Sequence, residues 1–470
     1  MHYDVCVIGS GAGGAVCAYG LQKRGFHVAI LEKGPWAQYG LDITTTFTNY
    51  YRDQGFVGSF GNAYIGIPTG EVVGGTTKIN SGTCFDTPAE VIFDWNKCMG
   101  INIAHEELQP YFARLTELLS IAEVEQKYVS SANQLFVRGL ETLGFKNHFP
   151  LRRAAHNCQG SGRCCFVCPN KAKQSTDVAI IPQFLEMGGK LLTQTEVVGI
   201  QEEKEHVTLL CKDKEKTDKI NCSKLVIAGG SLSTPILIKK NKIGTSWRKA
   251  GAGLTIHPAT KVFALFKEEV KGWYGVPQAI GFKHHDFPTL SFEGVFTPKG
   301  LSGLVMPLEG PRLDYWLQHY ENVASFGVMV KDTNTGTVKK ISHFPLFIRY
   351  QLNLKDFRNL LEGLRFIGLC YLKAGAEKVL LPINGTHNEF DSLKTLKACD
   401  FSSVKPSQLY SMGFHPLGTC GMGRVVDDHL KVFGSDRIYV ADGSVVPTSL
   451  GVNPQITIMS LAFKLSDVLQ

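Results

Sequence analysis

The stretch YDVCVIGSGAGGAVCAYGLQKRGFHVAILEKG, residues 3–34, predicts a strand, a glycine-rich turn, a helix and a second strand. Val5, Val7 and Ile8 form a short apolar run, which is typical of a strand buried within a parallel sheet. The second strand, HVAILEKG, is equally apolar until its acidic end. This order of elements predicts an α/β fold with a Rossmann-like nucleotide-binding unit at the start of the chain.

Gly9, Gly11 and Gly14 give the pattern G-x-G-x-x-G inside that turn. The first glycine permits the tight turn, the second lets the backbone approach a pyrophosphate, and the third lets the helix pack closely on the strand. Glu32 ends the second strand about 20 positions later, where an acidic residue binds ribose hydroxyls. No arginine follows it directly, which disfavours a 2′-phosphate and leaves FAD or NAD(H) as the predicted ligand.

Composition limits the remaining classes of protein. The 470 residues are 44% hydrophobic and 19% charged, which predicts a globular protein of two or three domains. The net charge of +7 is spread along the chain, so nucleic-acid binding is not expected. The first residues lack a secretory pattern and no long uncharged apolar run occurs, which predicts a cytoplasmic protein without a transmembrane segment. Thirteen cysteines, an odd number, favour reduced thiols or a cofactor site.

Four further stretches narrow the choice of cofactor. EVVGGTTKINSGT spans residues 71–83, and KLVIAGGSLSTPILI spans 224–238. Near the end, GFHPLGTCGMG spans 413–423, and the segment from IYVADGSVVP to GVNPQITI spans 438–458. Together with the opening motif, these stretches resemble the glucose–methanol–choline (GMC) oxidoreductases, which are FAD enzymes.

The resemblance implies a role for residues in each stretch. Asp442 is expected near the pyrophosphate or ribitol, and Val197 is expected to contact the adenine side through its backbone. Asn453 and Pro454 are expected near the pyrimidine end of the isoalloxazine. The other cofactor-binding residues implied, besides Gly9, Gly11, Gly14 and Glu32, are Gly74, Gly75, Thr76, Thr77, Asn80, Ala228 and Gly229.

The resemblance also implies a discontinuous arrangement of two domains. The FAD-binding domain is expected to comprise residues 1–85, 180–262 and 405–470. Residues 86–179 and 263–404 are then expected to form an α+β substrate domain built on a mostly antiparallel sheet. The substrate pocket is expected between the two domains, over the flavin.

His415 matches the active-site histidine of the family, and Asn453 matches its partner. A histidine suits general-base catalysis near neutral pH, because its unperturbed pKa is about 6.5. Asn453 can hold the substrate oxygen but cannot accept its proton. His257, which also precedes a proline, falls at a position where the family histidine is usually structural.

The loop HNCQGSGRCCFVCPNKAKQSTD, residues 156–177, contains a cluster of cysteines. The spacing of Cys158, Cys164 and Cys168, ending in Cys-Pro, resembles the loop of FAD-dependent glucose and fructose dehydrogenase subunits, which hold a 3Fe–4S cluster. Metal-free thiols and zinc remain alternatives, although no paired C-x2-C motifs occur. A cluster would favour a dehydrogenase over an oxidase, with a quinone or cytochrome, at a membrane surface, as acceptor.

The same loop, with its Lys-Gln-x-Thr-Asp end, also resembles long-chain fatty alcohol oxidases, as does the stretch 346–378. The favoured hypothesis is therefore oxidation of the CH–OH group of an apolar alcohol, with His415 as base. A sugar or polyol dehydrogenase with an iron–sulfur cluster is one alternative. A non-redox flavin lyase of the same fold is another, and a degenerate binding module is disfavoured because the motifs are intact.

Overall fold

The computed structural model describes residues 2–213, 216–342, 344–385 and 387–470. Most of its strands fall into two large sheets. Within the described residues the strands are, in chain order, β1 (His2–Ile8), β2 (Val28–Leu31), β3 (Gly58–Ser59), β4 (Ile65–Gly66), β5 (Ile121–Glu123), β6 (His148–Pro150), β7 (Arg152–Ala154), β8 (Lys190–Leu192), β9 (Glu196–Glu202), β10 (Val207–Lys212), β11 (Thr217–Ile227), β12 (Ala252–Leu254), β13 (Pro258–Leu265), β14 (Ile280–Phe282), β15 (Leu290–Gly294), β16 (Val323–Val330), β17 (Gly336–Ile341), β18 (Phe344–Arg349), β19 (Lys378–Leu380), β20 (Glu389–Phe390), β21 (Ser411–Gly413) and β22 (Ile438–Val440).

The helices cover the faces of these sheets. They are α1 (Ala12–Lys23), α2 (Ile43–Tyr50), α3 (Ala89–Met99), α4 (His105–Leu118), α5 (Ser131–Thr142), α6 (Thr176–Ala179), α7 (Ile181–Glu186), α8 (Thr234–Asn241), α9 (Gly310–Gln318), α10 (Leu354–Lys373), α11 (Leu393–Ala398) and α12 (Gln455–Val468). Short 3-10 turns link several of them, of which Gly75–Lys78 and Gly443–Val445 belong to the predicted cofactor stretches. None of the described helices is long and apolar enough to cross a membrane.

The first sheet contains the opening strand–turn–helix–strand unit. Its strand order is β8-β2-β1-β11-β10-β9, and β22 pairs with β11. β1 lies between β2 and β11 and is parallel to both, with Val5 opposite Val28 on one side and Lys224 on the other. The β1 side chains Val5 and Val7 are fully buried, as a strand covered on both faces requires. The Rossmann-like part of the fold prediction is thereby confirmed.

The first and last helices of the described chain pack against each other on this sheet. A Cβ on Gly20 of α1 would lie 2.1 Å from the Oγ of Ser466 in α12, so only glycine permits this approach. A Cβ on Gly13 would lie 1.8 Å from the carbonyl oxygen of Ala441, just after β22. The C-terminal segment is therefore an integral part of the nucleotide-binding half.

The second sheet is mostly antiparallel, as expected. Its strand order is β3-β4-β21-β13-β16-β15-β14-β6, and β19 and β20 extend it from β13. Helices α5 and α10 cover one face, where Phe136 stacks on Phe326 with ring centroids 3.7 Å apart. Leu290 and Phe292 of β15 also lie in this apolar core.

The alternation of side chains along β15 turns the next residues to the opposite face. There Ser291 donates a hydrogen bond of 2.8 Å to the carbonyl oxygen of Gly451, so this face lies against the nucleotide-binding half.

The division of the chain into the predicted domain ranges stays a prediction. The first sheet takes β1, β2, β8–β11 and β22 from the three ranges expected to bind FAD, whereas β3, β4, β21 and most of β13 join the second sheet.

Candidate active site

The glycine turn after β1 forms a cradle with one open side. Gly9 has a φ of +99°, and a Cβ there would lie 2.4 Å from the carbonyl oxygen of Ala228. A Cβ on Gly14 would lie 2.1 Å from the carbonyl oxygen of Gly9. A Cβ on Gly11, by contrast, would meet only the Cα of Gly75, at 4.0 Å. Gly9 and Gly14 thus serve close packing, while Gly11 borders free space.

The N-terminus of α1 opens onto this cradle. Its N-cap, Gly11, provides no side-chain hydrogen bond, so the first N–H groups of the helix are available to a ligand. Aligned peptide dipoles add positive potential at the same point, which favours phosphate. The cradle therefore fits the pyrophosphate of a dinucleotide.

Glu32, which directly follows β2, stabilises the glycine turn by accepting three hydrogen bonds. Its Oε2 accepts hydrogen bonds from the Ser10 backbone N–H at 2.9 Å and the Ser10 hydroxyl at 2.6 Å, and its Oε1 accepts one from the Gly34 N–H at 2.7 Å. Burial raises the pKa of the Glu32 carboxyl, and these three hydrogen bonds act in the opposite direction. A carboxylate has about four acceptor sites, so it retains capacity for a ribose hydroxyl.

We expect Gly11→Ala and Gly14→Ala to separate cofactor binding from folding. Gly11→Ala should leave thermal unfolding of the FAD-free protein unchanged and weaken FAD binding about tenfold, as loss of one or two hydrogen bonds of about 1 kcal/mol each would. Gly14→Ala should lower the unfolding temperature itself, because its Cβ meets backbone. Differential scanning fluorimetry and FAD titration measure both effects. Unaltered FAD affinity in Gly11→Ala would contradict this assignment.

The stretch 71–83 sits directly on the glycine turn. The Gly74 N–H donates to the Ser10 hydroxyl oxygen at 2.9 Å, and the Thr77 hydroxyl donates to the Gly74 carbonyl at 2.6 Å. The Asn80 side-chain amide donates to the Oε1 of Gln455, the first residue of α12, at 2.6 Å. Thr76 lies between these contacts in the 3-10 turn. The structure thus brings both ends of the chain together at the predicted flavin stretch.

The loop after the cysteines supports this stretch. Its supporting residues, Lys173, Thr176 and Asp177, were not among the predicted site residues. The Lys173 ammonium donates to the carbonyl oxygens of Lys78 at 2.8 Å and Asn80 at 2.7 Å. The Thr176 hydroxyl donates to the Ser10 carbonyl at 2.9 Å. Lys78 and Asp177 form an ion pair of 2.5 Å, with 3% and 4% of their side chains exposed. The Lys-Gln-x-Thr-Asp pattern was the available signal for these residues.

Asp442 and Val197 are two further residues predicted to bind the cofactor. Asp442, at the end of β22, accepts hydrogen bonds from the Gly230 N–H at 2.8 Å and the Thr234 hydroxyl at 2.5 Å, next to the turn formed by Ala228 and Gly229. This carboxylate therefore orders the third glycine turn. Val197 is buried in β9 opposite Cys211, and its predicted contact with adenine stays a prediction.

The cysteines of the loop lie between the second apolar core and the flavin stretch. Cys158 packs beside that core, and the Sγ of Cys165 lies 3.7 Å from the Oγ of Ser81. Within the part of the chain that the structure describes, no three His, Cys, Asp or Glu side chains form a metal-ligating group. The iron–sulfur site at Cys158, Cys164 and Cys168, like the zinc and metal-free alternatives, stays a prediction.

The backbone of the cysteine loop packs closely on the substrate domain. A Cβ on Gly162 would lie 1.7 Å from the carbonyl oxygen of Trp273, so only glycine permits this approach. Asn157 and Val167 both have positive φ angles, of 52° and 54°, which mark two tight turns within the loop.

His415 and His257 contact each other. Their Nδ1 atoms are 2.9 Å apart, and the rings are nearly perpendicular. Burial, followed by the neighbouring His257, holds the pKa of His415 well below 6.5. Burial also lowers the pKa of His257 to about 3, with smaller contributions from Lys283 and Lys331. Both rings are therefore neutral at physiological pH. His257, for which a structural role was expected, contacts the predicted catalytic histidine directly.

Hydrogen bonds from the backbone fix the proton positions in this pair. The Nε2 of His257 accepts from the N–H groups of Leu450 at 3.0 Å and Gly451 at 2.9 Å, so its proton is on Nδ1. That proton is donated to the Nδ1 of His415. The neutral His415 ring therefore carries its own proton on Nε2, as a donor.

Asp332 holds His257 in this position. Its carboxylate accepts hydrogen bonds from the N–H groups of Ile256 at 2.9 Å and His257 at 3.3 Å, and from the Ser449 hydroxyl at 2.6 Å. His257 adopts a φ of +48°, an uncommon conformation that these bonds stabilise. Asp332 thereby connects the segment just before β13, which carries His257, to the turn that precedes Asn453.

Asn453 lies against a buried carboxylate of the substrate domain. Glu293 of β15 is 8% exposed, and its Oε2 accepts a hydrogen bond from the side-chain amide of Gln278. Burial raises the pKa of Glu293 to about 7, while Lys283 and hydrogen bonds from Asn453 and Gln278 lower it. Among the described groups, none meets hydrogen-bond geometry with the Oε1 of Glu293 or the Oδ1 of Asn453.

Comparison with known proteins agrees with this architecture. Family models described as GMC oxidoreductase match residues 47–259 and 340–462, and one described as an NAD(P)-binding Rossmann-like domain matches residues 7–52. An uncharacterized GMC-type oxidoreductase of Mycobacterium tuberculosis is 30% identical, with 99% of this chain and 75% of that protein covered. A long-chain-alcohol oxidase of Arabidopsis thaliana is 26% identical, over 99% of this chain and 66% of that protein.

Solved structures show the same fold. Pyridoxine 4-oxidase from Mesorbium loti superposes with a TM-score of 0.77 at 17% identity, covering 99% of both chains. Formate oxidase from Aspergillus oryzae, in a structure that concerns modification of its FAD, superposes with a TM-score of 0.72 at 14% identity, covering 99% of this chain and 97% of that one. The open cradle and these relatives support FAD as the cofactor. The chain is a member of the GMC oxidoreductase family.

Proposed function

We propose that the protein oxidises the CH–OH group of an alcohol with FAD as its cofactor. FAD, when bound, supplies the acceptor for the hydride. The observation that carries the proposal is the contact between His415 and His257, which is anchored on the backbone of Leu450 and Gly451. Asn453 follows two residues later, which supports His415 and Asn453 as the two side chains that hold the hydroxyl oxygen.

We further propose an apolar alcohol as the substrate. The supporting observations are the likeness to long-chain-alcohol oxidases and the exposed aromatic side chains of Phe414 and Phe60. Phe414, the immediate neighbour of His415, is 42% exposed, and the exposed Phe60 stacks on Phe347 with ring centroids 5.3 Å apart. An apolar chain would bury such rings, whereas a sugar calls for several convergent polar groups.

The electron acceptor depends on the cysteine loop. The preference for a dehydrogenase rests on an iron–sulfur cluster, which stays a prediction. Without such a cluster, oxygen, a quinone or a cytochrome would receive the electrons directly from the flavin. Several of the relatives are named oxidases, so peroxide formation is the first acceptor assay.

Anaerobic bleaching of the flavin absorbance tests the proposed reaction. We expect decanol to bleach the FAD-loaded protein and glucose to leave it oxidised. Bleaching by glucose alone would overturn the apolar substrate and favour the polyol alternative. If no alcohol in a panel of primary, secondary and polyhydric alcohols bleached a fully loaded enzyme, the redox proposal would fail and the lyase alternative would stand.

A further inference from the structure

Large apolar side chains are exposed along one edge of the second sheet, where β3, β4 and β21 lie side by side. Ser411 of β21 pairs with Ile65 of β4 in parallel, so the preceding residues, Tyr410 and Tyr64, are neighbours as well. The Tyr64 hydroxyl donates a hydrogen bond of 3.3 Å to the carbonyl oxygen of Phe56, just before β3. The exposed fraction ranges from 38% for Tyr410 to 71% for Phe56, so this edge presents aromatic rings to solvent.

The hairpin of β17 and β18 extends this surface. The ring of Phe60 stacks on that of Phe347, and the Phe60 N–H donates to the carbonyl oxygen of Ile348 at 2.8 Å. At the end of the hairpin Ile341 pairs with Phe344, and both are exposed, by 37% and 56%. These exposed side chains form one surface, the edge patch, which comprises Phe56, Phe60, Tyr64, Ile341, Phe344, Tyr410 and Phe414.

The charged residues that accompany the edge patch are basic. Residues 54–70 contain no charged side chain, and residues 333–350 contain Lys339, Lys340 and Arg349 without an Asp or Glu. All three are exposed, and no ion pair within the described part of the chain includes them. Their charge is therefore available to a partner.

These cations lie among the aromatic side chains of the hairpin. Lys339 is opposite Phe347 in the sheet, and Arg349 follows Phe347 by two residues on β18, so all three share a face. Arg349 also forms a bridge with Phe60. Burial, followed by the charge of Lys339, lowers the pKa of Lys239 on α8, which places a fourth cation close by. The edge patch thus combines aromatic and cationic groups on one surface.

The sign of this charge decides between two occupants. A large exposed apolar patch marks an interaction site, for a second copy of the chain or for another partner. In a symmetric dimer the same patch of both copies meets itself, so the basic residues would face like charges. An anionic lipid surface carries the opposite charge, and each Lys or Arg close to it strengthens binding about fivefold. Aromatic side chains are also favoured at the boundary between headgroups and acyl chains.

We propose that the edge patch docks the protein on a membrane that contains anionic phospholipids. The aromatic rings enter the headgroup region, while Lys339, Lys340 and Arg349 contact the lipid phosphates. The attachment is peripheral and does not depend on the proposed reaction. Because Phe414 directly precedes His415, docking would also bring the candidate site close to an apolar alcohol dissolved in the bilayer, a consequence that does rest on the proposed function.

Flotation of the FAD-loaded protein with lipid vesicles tests the proposal, and no alcohol is needed. We expect binding to vesicles of phosphatidylglycerol mixed with phosphatidylcholine, weaker binding to phosphatidylcholine alone, and a decrease in binding as salt is added. Reversing two charges with Lys339→Glu and Lys340→Glu should lower the affinity at least about 25-fold, as loss of two lipid contacts would. Phe344→Ser should lower it about tenfold, because less apolar area is buried.

Matched variants at other exposed positions are the controls. Lys394→Glu with Lys397→Glu on α11 reverses the same number of charges, and Phe93→Ser on α3 removes a phenylalanine that is 61% exposed. Both should bind vesicles as the unaltered protein does, and all variants should keep their FAD and their unfolding temperature. Equal binding by the patch and control variants would overturn the proposal. So would a dimer in solution, seen by light scattering without lipid, that Phe344→Ser dissociates.

Discussion

Replacing His415 with alanine should slow flavin reduction by alcohol by about 100- to 1,000-fold, the loss typical when one preorganised donor to a developing oxyanion is removed. The side chain is held by the 2.9 Å contact with His257, so it needs no reorganisation when the hydroxyl proton leaves. FAD should stay bound, because the cradle around Gly11 is formed by other residues. Stopped-flow reduction under anaerobic conditions measures the rate.

The matched variant His415→Gln distinguishes a donor from a base. A glutamine amide can donate a hydrogen bond but cannot accept a proton, so this variant should recover much of the rate that His415→Ala loses. Equal loss in both variants would instead show that His415 acts as the base. His257→Phe should resemble His415→Ala in part, since it removes the group that orients the ring.

Asp177→Ala should produce the largest loss of stability. The carboxylate is 4% exposed and pairs at 2.5 Å with Lys78, which is 3% exposed, so its removal leaves a buried ammonium without a counter-charge. Removing one partner of such a pair costs about 3–5 kcal/mol. Among the residues that the structure describes, the hydroxyl of Tyr39, at 2.6 Å, would remain as the side-chain acceptor for Lys78. Urea unfolding at fixed FAD saturation measures the free energy change.

The double variant Lys78→Met with Asp177→Leu is the control for this effect. It removes both charges, and replacing a buried ion pair with apolar side chains is often neutral or stabilising. We expect its free energy of unfolding to lie closer to that of the unaltered protein than to that of Asp177→Ala. A double variant as unstable as the single one would show that packing of Asp177 against Gly74, rather than charge, carries the stability.

Local patterns were sufficient to predict the nucleotide-binding half. The glycine spacing, the apolar strands and Glu32 lie within 30 residues, so each constrains the next through chain geometry alone. His415 and Asn453 could be identified from their own motifs. Their neighbours could not, because His257 is 158 positions from His415 and meets it only when two sheets have formed.

The cysteine loop and Glu293 show two different limits. Cysteine spacing describes which thiols could converge, but their arrangement also depends on backbone turns such as those at Asn157 and Val167. For Glu293 a signal existed, since Leu-Ser-Phe-Glu alternates apolar and polar residues along β15. That alternation predicts a polar face without saying what opposes it. The opposing turn, 450–453, is 160 residues away in the chain.

The packing of α1 against α12 determines when the cofactor site is completed during protein synthesis. Gly13 meets Ala441, and Gly20 meets Ser466, so the helix that presents its N-terminus to the phosphates lacks its supporting surface until those late residues emerge. At roughly 5–20 residues per second, the ribosome needs on the order of half a minute to make that interval. The nascent glycine turn therefore stays uncovered until residues 441–466 have been made, and FAD is acquired only after that point.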